Sequence, residues 1–109
     1  MVRGAKMFDL TGKRALITGS SQGIGYALAQ GLLDAGASVV LNGRNKEKLA
    51  TAADALEGDS DKIQTLCFDA TDHATVRAMV DQFEAEQGAI DILVNNAGMQ
   101  FRTPLQDFP

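Results

Sequence analysis

Along this chain the hydrophobic pattern switches repeatedly between two periods, and that alternation leaves few folds open. Arg14-Ala15-Leu16-Ile17-Thr18 is a short apolar run closed by Gly19. A run of this length, bounded by glycine, reads as a buried strand. Ile24, Ala27, Leu28, Gly31, Leu32 and Ala35 then recur at helical spacing and stop at Gly36, a residue suited to a helix C-cap. The spacing predicts that these residues form the inward face of the first helix. Ser38-Val39-Val40-Leu41-Asn42 is a second buried strand, closed by Gly43. Asn45 is placed to cap a second helix with Leu49, Ala52, Ala53 and Leu56 on one face. Gly58 to Asp61 is a loop by composition, and Ile63 to Phe68 is a third strand. Thr71 or Asp72 caps a third helix that turns Val76, Met79, Val80 and Phe83 inward and ends at Gly88. Asp91-Ile92-Leu93-Val94-Asn95 is a fourth strand. Continuous apolar strands alternating with amphipathic helices imply an α/β fold with a parallel sheet. Right-handed crossovers favour the doubly wound order 3-2-1-4, with a ligand crevice between strands 1 and 4.

Size and charge narrow the reading. At 109 residues there is room for one domain at most. With 45% hydrophobic and 22% charged residues the chain has ordinary globular usage, which excludes disordered and low-complexity classes. Cys67 stands alone, so an internal disulfide and a thiolate metal cluster are excluded, and a reducing, cytoplasmic location is expected. Arg3 and Lys6 have no apolar segment behind them, and no apolar run approaches the roughly 20 residues of a membrane helix. The net charge is −4, which argues against nucleic-acid binding. The charge is uneven: residues 1–50 carry seven Lys/Arg against three acids, and residues 51–109 carry three against eleven. A positive first half suits a small phosphate-bearing ligand.

The strongest chemical signal is Thr18-Gly19-Ser20-Ser21-Gln22-Gly23-Ile24-Gly25, between the first strand and the first helix. Glycines there permit a tight turn and let the backbone approach a pyrophosphate. The helix N-terminus adds free N–H groups and the positive end of a dipole. Gly25 permits close packing of helix on sheet. The bland alternative is a tight turn with no ligand. No Gly-Lys-Ser/Thr follows, so a nucleoside-triphosphate loop is not supported.

The spacing Gly-x-x-x-Gly-x-Gly, together with Asn95-Asn96-Ala97-Gly98 after the fourth strand, resembles the short-chain dehydrogenase/reductase family. The resemblance runs from about Phe8 onward. It implies the N-terminal portion of a doubly wound Rossmann domain and an oxidoreductase that interconverts a secondary alcohol and a ketone. Phe8 to Lys13 and Asn95 to Pro104 are most similar to members acting on gluconate and 5-ketogluconate, and much of this is shared with oxoacyl and tropinone-type reductases.

The resemblance also implies site residues. Gly19, Ser20, Ser21, Gln22, Gly23, Ile24 and Gly25 would hold the cofactor pyrophosphate. NAD-preferring relatives carry an acid where Gly43 stands; here Arg44 follows, with Lys46 and Lys48 near. A guanidinium grips a 2′-phosphate that a carboxylate would repel, so NADP(H) is favoured over NAD(H). A solvated basic turn is the alternative. Asp69, with Ala70 beside it, would face the adenine amino group, or Asp69 would simply cap a helix. Asn95, Ala97 and Gly98 would line the cofactor ribose while tying strand 4 to strand 1. Arg102 would clamp a substrate carboxylate, or lie exposed. His73 is expected in solvent, Cys67 in packing, and no metal site is implied.

Family members transfer hydride with a Ser and a Tyr-x-x-x-Lys pair. The single tyrosine here, Tyr26, lies in the first helix with Gln30 four residues on, so no catalytic residue is assigned. Strand 4 would also be an exposed apolar edge. Residues 1–109 therefore read as an incomplete NAD(P)-binding domain whose catalytic part is missing, inactive alone. The parent would be a homodimer or homotetramer with a small sugar-acid or ketone substrate and no membrane partner. A non-catalytic nucleotide-binding module and an inactive truncation product are the competing readings.

Overall fold

The computed structural model describes residues 9–97. Its strands and helices follow the predicted order: β1 (Arg14–Ile17), α1 (Gly23–Asp34), β2 (Ser38–Gly43), α2 (Lys46–Ala55), β3 (Ile63–Cys67), α3 (His73–Gln87) and β4 (Ile92–Val94). A short 3₁₀ turn at Ser60–Lys62 leads into β3. All strand pairings are parallel and the sheet order is β3-β2-β1-β4. Leu16 sits opposite Val40 on one side and Leu93 on the other, so β1 is central.

Strand periodicity assigns the two faces of the sheet, because successive side chains point to opposite sides. Ala15 and Ile17 of β1 join Val39 and Leu41 of β2 in one buried cluster with Ala29 and Leu33 of α1 and Leu49, Ala52 and Leu56. Leu16 and Val40 point the other way and pack on Phe83 of α3, with Leu66, Val80 and Ile90 around them. The molecule is thus three layers, with α1 and α2 on one side and α3 on the other. Two helix starts are built locally. The Asn45 side chain accepts from Lys48 N at 2.9 Å, and the Asp72 side chain accepts from Ala74 N at 3.1 Å. The α3 cap is therefore Asp72, and Asp69 is not the capping acid.

Two expectations are corrected. The inward face of α1 is Gly25, Ala29 and Leu33, with Leu32 partly buried, and not the stripe led by Ile24 and Leu28. Ile24 is 75% exposed and Leu28 42%. The helix crosses β1 and its turn so closely that the smallest residues take the contact, and the bulky ones are left to flank it. Cys67 is exposed rather than packed. It lies on β3, an edge strand whose burial alternates, and its residue falls on the open side. No helix among the described residues is long and apolar enough to cross a membrane.

Candidate functional site

The C-terminal ends of β1, β2 and β3 open together into one cavity of about 540 Å³. Ligands of open α/β sheets bind at this end. The floor is the turn between β1 and α1. Gly19 takes a φ of +62°, which L-residues rarely adopt, and its Cα faces Ala97 so closely that a Cβ would come within 3.2 Å of it. At Gly25 a Cβ would meet the Gly19 carbonyl oxygen and Asn96 Nδ2, each at 2.6 Å. Gly25 is therefore where α1 rests on its own entry turn. The N-cap residue, Gln22, is extended and makes no side-chain capping bond, so the first N–H groups of α1 have no cap at the cavity. An uncapped N-terminus in a glycine turn is suited to an anion.

Ser20 is buried, and its hydroxyl is spent on the framework. It donates to the Ile17 carbonyl at 2.6 Å and accepts from Asn42 N at 2.9 Å. Ser21 is the serine that reaches the cavity, with Gln22 and Ile24 beside it. Ser20 and Gly25 are buried behind the lining and shape it, whereas Gly23 is exposed and is not among the lining residues.

The second wall is the end of β2. A Cβ on Gly43 would sit 3.1 Å from Ser21 Oγ and 3.3 Å from Ser21 Cβ, so Ser21 already fills the space where a side chain would start. Arg44 follows and is largely exposed at the rim, with Asn45 and Lys48 also lining the cavity. Lys46 is not among the lining residues.

The third wall comes from β3. Asp69 and buried Ala70 line it, together with Phe68 and Thr71. Asp69 Oδ1 accepts from the Thr71 hydroxyl at 2.9 Å and from Thr71 N at 3.1 Å, and these bonds hold its carboxyl below the usual carboxylate range. Slight burial opposes them, and the Arg44 guanidinium, 4.0 Å from Oδ2, adds a smaller push downward. Asp69 is thus an ionised acceptor at neutral pH. The two charged side chains approach each other across the cavity mouth.

After β4 the two asparagines part. Asn96 lines the cavity and donates from Nδ2 to the Gly19 carbonyl at 3.1 Å, with Ala97 next to it. Asn95 instead borders a smaller hollow of about 310 Å³ beside His73 and Leu93. Its Oδ1 accepts from the Thr18 hydroxyl at 3.2 Å, and Thr18 Oγ1 in turn accepts from Ala97 N at 3.1 Å. The four residues from Val94 to Ala97 are in this way stitched to the end of β1. Gly98 and Arg102 lie outside the described residues.

Sequence reasoning passed over Asn42, Asn45, Phe68 and Thr71 as lining residues, and it named Asn95 rather than Asn96. The alternation of a strand end could have pointed to Asn42. Nothing in the linear pattern separates Asn95 from Asn96. Among the described residues no cluster of three or more His, Cys, Asp or Glu is placed to hold a metal ion.

Comparison with known proteins agrees with this geometry. Gluconate 5-dehydrogenase of Gluconobacter oxydans is 51% identical over 102 residues, covering 94% of this chain and 40% of the relative. 5-Keto-D-gluconate 5-reductase of Escherichia coli is 41% identical over 103 residues, covering 94% and 41%. A crystal structure of a gluconate 5-dehydrogenase from Burkholderia cenocepacia, in complex with NADP and tartrate, superposes with a TM-score of 0.75 at 52% identity. It is matched by 98% of this chain, which covers 42% of its length. The chain therefore spans about two fifths of the length of the relatives it matches. The family model for short chain dehydrogenases matches residues 13–109, and the chain belongs to that family of oxidoreductases.

Proposed function

We propose that the cavity at the strand ends takes NADP(H), and that residues 1–109 are the cofactor-holding part of a dehydrogenase that interconverts gluconate and 5-ketogluconate. The observation that carries the cofactor choice is the end of β2. Gly43 offers no carboxylate and its side-chain space is taken by Ser21, while Arg44 and Lys48 stand at the same wall. A 2′-phosphate there meets cations and a hydroxyl. The glycine turn fits the pyrophosphate: Gly19 has no Cβ to block the approach, and the α1 N-terminus is uncapped. Ionised Asp69 is an acceptor suited to an adenine amino group. Asn96 holds the strand-4 segment against the turn, and Ala97 closes that end of the cavity.

When bound, the nicotinamide accepts or returns a hydride. This chain's own residues bind and orient. The α1 N-terminus and glycine turn hold the diphosphate, Arg44 and Ser21 select the phosphorylated ribose, and Asp69 and Ala70 fix the base. Proton transfer is not assigned to any of them. Tyr26 is packed against the core cluster, and Gln30 is engaged with Asp34 and the backbone of Glu57. The hydride-transfer machinery of the family would come from sequence outside these 109 residues, and the chain alone is expected not to turn over. The whole protein is proposed to be a cytoplasmic homodimer or homotetramer, with Arg102 facing the substrate carboxylate.

Calorimetric titration with NADP+ and NAD+, followed by an NADPH-absorbance assay with gluconate on the protein at its full natural length, tests the reading. Tighter binding of NADP+ and gluconate-dependent reduction are expected. Preference for NAD+ overturns the cofactor choice. NADP+ binding without turnover on gluconate, but with turnover on a 3-oxoacyl thioester and NADPH, overturns the substrate.

A further inference from the structure

We propose that Asn42 is a positioning residue for the cofactor: its carboxamide sets the spacing between the pyrophosphate turn and the loop that carries Asp69. The inference rests on the NADP(H) reading of the cavity. Asn42 is 1% exposed at the end of β2, where three chain segments converge. Its Oδ1 accepts from Gly19 N at 2.8 Å. Its Nδ2 donates one hydrogen to the Leu66 carbonyl at 3.0 Å and the other to the Phe68 carbonyl at 3.1 Å. Its backbone carbonyl accepts from Ser20 N at 2.8 Å, and its own N–H reaches Ser20 Oγ. The side chain and backbone of a single residue thus grip both positions that open the glycine turn and the residue that precedes Asp69.

The side-chain chemistry admits few substitutes. The site needs one acceptor facing an amide and two donors facing carbonyls, in a plane and at short reach. Aspartate supplies the acceptor but turns a charge toward two carbonyl oxygens. Serine, used elsewhere in the turn, has a single proton. Glutamine carries its carboxamide one methylene further out, past the positions of the three backbone groups that Asn42 meets. A strand end needing only to be buried would be satisfied by valine or leucine, as at Val40 and Leu41. The polar choice at this position therefore answers to the two loops it joins. When the carboxamide is removed, the glycine turn and the Asp69 loop lose their common reference, and the cofactor must order them on binding.

The test uses Asn42→Asp and Asn42→Ala in the protein at its full natural length, with NADP+ affinity, kcat at saturating NADP+ and urea stability measured in parallel. Leaving a buried donor or acceptor unpaired costs enough for about tenfold or more in binding. The expected result is a rise of about tenfold in the NADP+ Kd with kcat at saturation within about twofold of wild type, since the reacting groups are untouched. The Asn42→Asp variant adds a pH dependence that a packing loss independent of protonation does not show, with urea stability measured at the same pH values beside it. A protonated carboxyl can donate to Phe68 O while its other oxygen accepts from Gly19 N. Its affinity relative to wild type should therefore recover between pH 8 and pH 5. Arg44, Lys48 and Asp69, which face the same cavity, are common to both proteins and cancel in that ratio. Should Asn42→Ala fail to fold, the pH ratio of Asn42→Asp decides alone. An Asn42→Asp affinity within twofold of wild type at pH 8, or a deficit that does not change with pH, overturns the inference. A wild type that binds no NADP+ overturns the cofactor reading and this inference with it.

Discussion

Two glycines of the same helix should respond to alanine with opposite signs, because one lies against backbone and the other against solvent. A helix-interior glycine replaced by alanine gains about 0.5–1 kcal/mol of helix propensity. At Gly31 nothing lies within 4 Å of the added Cβ, so that gain should appear undiminished. At Gly25 the Cβ would stand 2.6 Å from the Gly19 carbonyl oxygen, 2.6 Å from Asn96 Nδ2 and 3.0 Å from Ser20 Cα. Ordinary contact needs about 3.4 Å or more, so the helix and its entry turn must separate by about 0.8 Å. The Gly19 oxygen and Ser20 Cα are backbone, and Asn96 is held by its bond to that same oxygen. Overpacking of this kind costs about 1–3 kcal/mol, which outweighs the propensity gain. Gly25→Ala should therefore lose about 1–2 kcal/mol net and Gly31→Ala gain about 0.5–1 kcal/mol. Urea unfolding of the two variants beside wild type measures both. Calorimetry should also show weaker NADP+ binding in Gly25→Ala alone, because the α1 N-terminus has moved. Equal or greater stability for Gly25→Ala would refute the packing argument, whatever Gly31→Ala does.

Further outcomes follow from the same geometry. Arg44→Ala should raise the NADP+ Kd about 10- to 100-fold, the range of a lost charge-assisted hydrogen bond, and leave NAD+ binding nearly unchanged; competitive titration of the two cofactors checks it. Gly43→Asp should invert the preference toward NAD+, with some loss of stability because its Cβ presses on Ser21 Oγ at 3.1 Å. Thr18→Val, at a fully buried position, removes the hydroxyl that joins β1 to Asn95 and Ala97 and should cost about 1–2 kcal/mol in urea unfolding, whereas Thr18→Ser should cost less. Asp9 and Asp69 both have carboxyls held below the ordinary range, each chiefly by a threonine hydroxyl, Thr11 and Thr71. A carboxyl whose folded pKa is depressed contributes stability above its unfolded pKa and loses it as pH falls through the folded one. Stability should therefore decline below about pH 4, and less steeply in Thr71→Val, as acid titration followed by circular dichroism would show.

The sheet order was legible because it rests on properties that a linear pattern carries. Ser38 to Asn42 is apolar on both faces, so β2 had to be internal, and the helices between strands forced parallel pairing. The helix caps at Asn45 and Asp72 were legible for a similar reason, since each is satisfied within three residues. The α1 face was misread because that helix is apolar on more than one side. Ranking by hydrophobicity selects Ile24 and Leu28, whereas the close crossing over Gly19 selects Gly25 and Ala29. Cys67 was misread although the predicted order already put β3 at an edge: such a strand buries only some of its residues, and the apolar run from Ile63 to Phe68 does not say which.

The same distinction separates the parts of the candidate site. Gly19 announces itself because a tight turn demands it of the backbone locally, and Arg44 because its charge follows a strand end directly. Asn42 carries no such mark. In the sequence it is a polar residue ending an apolar strand, and its meaning depends on carbonyls 24 and 26 residues away being delivered to its amide by β3. Asn96 depends on an oxygen 77 residues away. Residues of this second kind answer to where chain segments converge, and the convergence exists only once the sheet is assembled. A side chain that satisfies several backbone groups from separate segments is correspondingly hard to replace, because no single neighbour can shift to accommodate the change without disturbing the others. That makes the two asparagines on either side of Gly19, Asn42 on its N–H and Asn96 on its carbonyl oxygen, the sharpest probe of the cradle. Each alone should weaken cofactor binding. If both act by fixing the two peptide units that flank the Gly19 Cα, the double variant should lose less than the sum of the two, and strict additivity would mean that they act through separate elements.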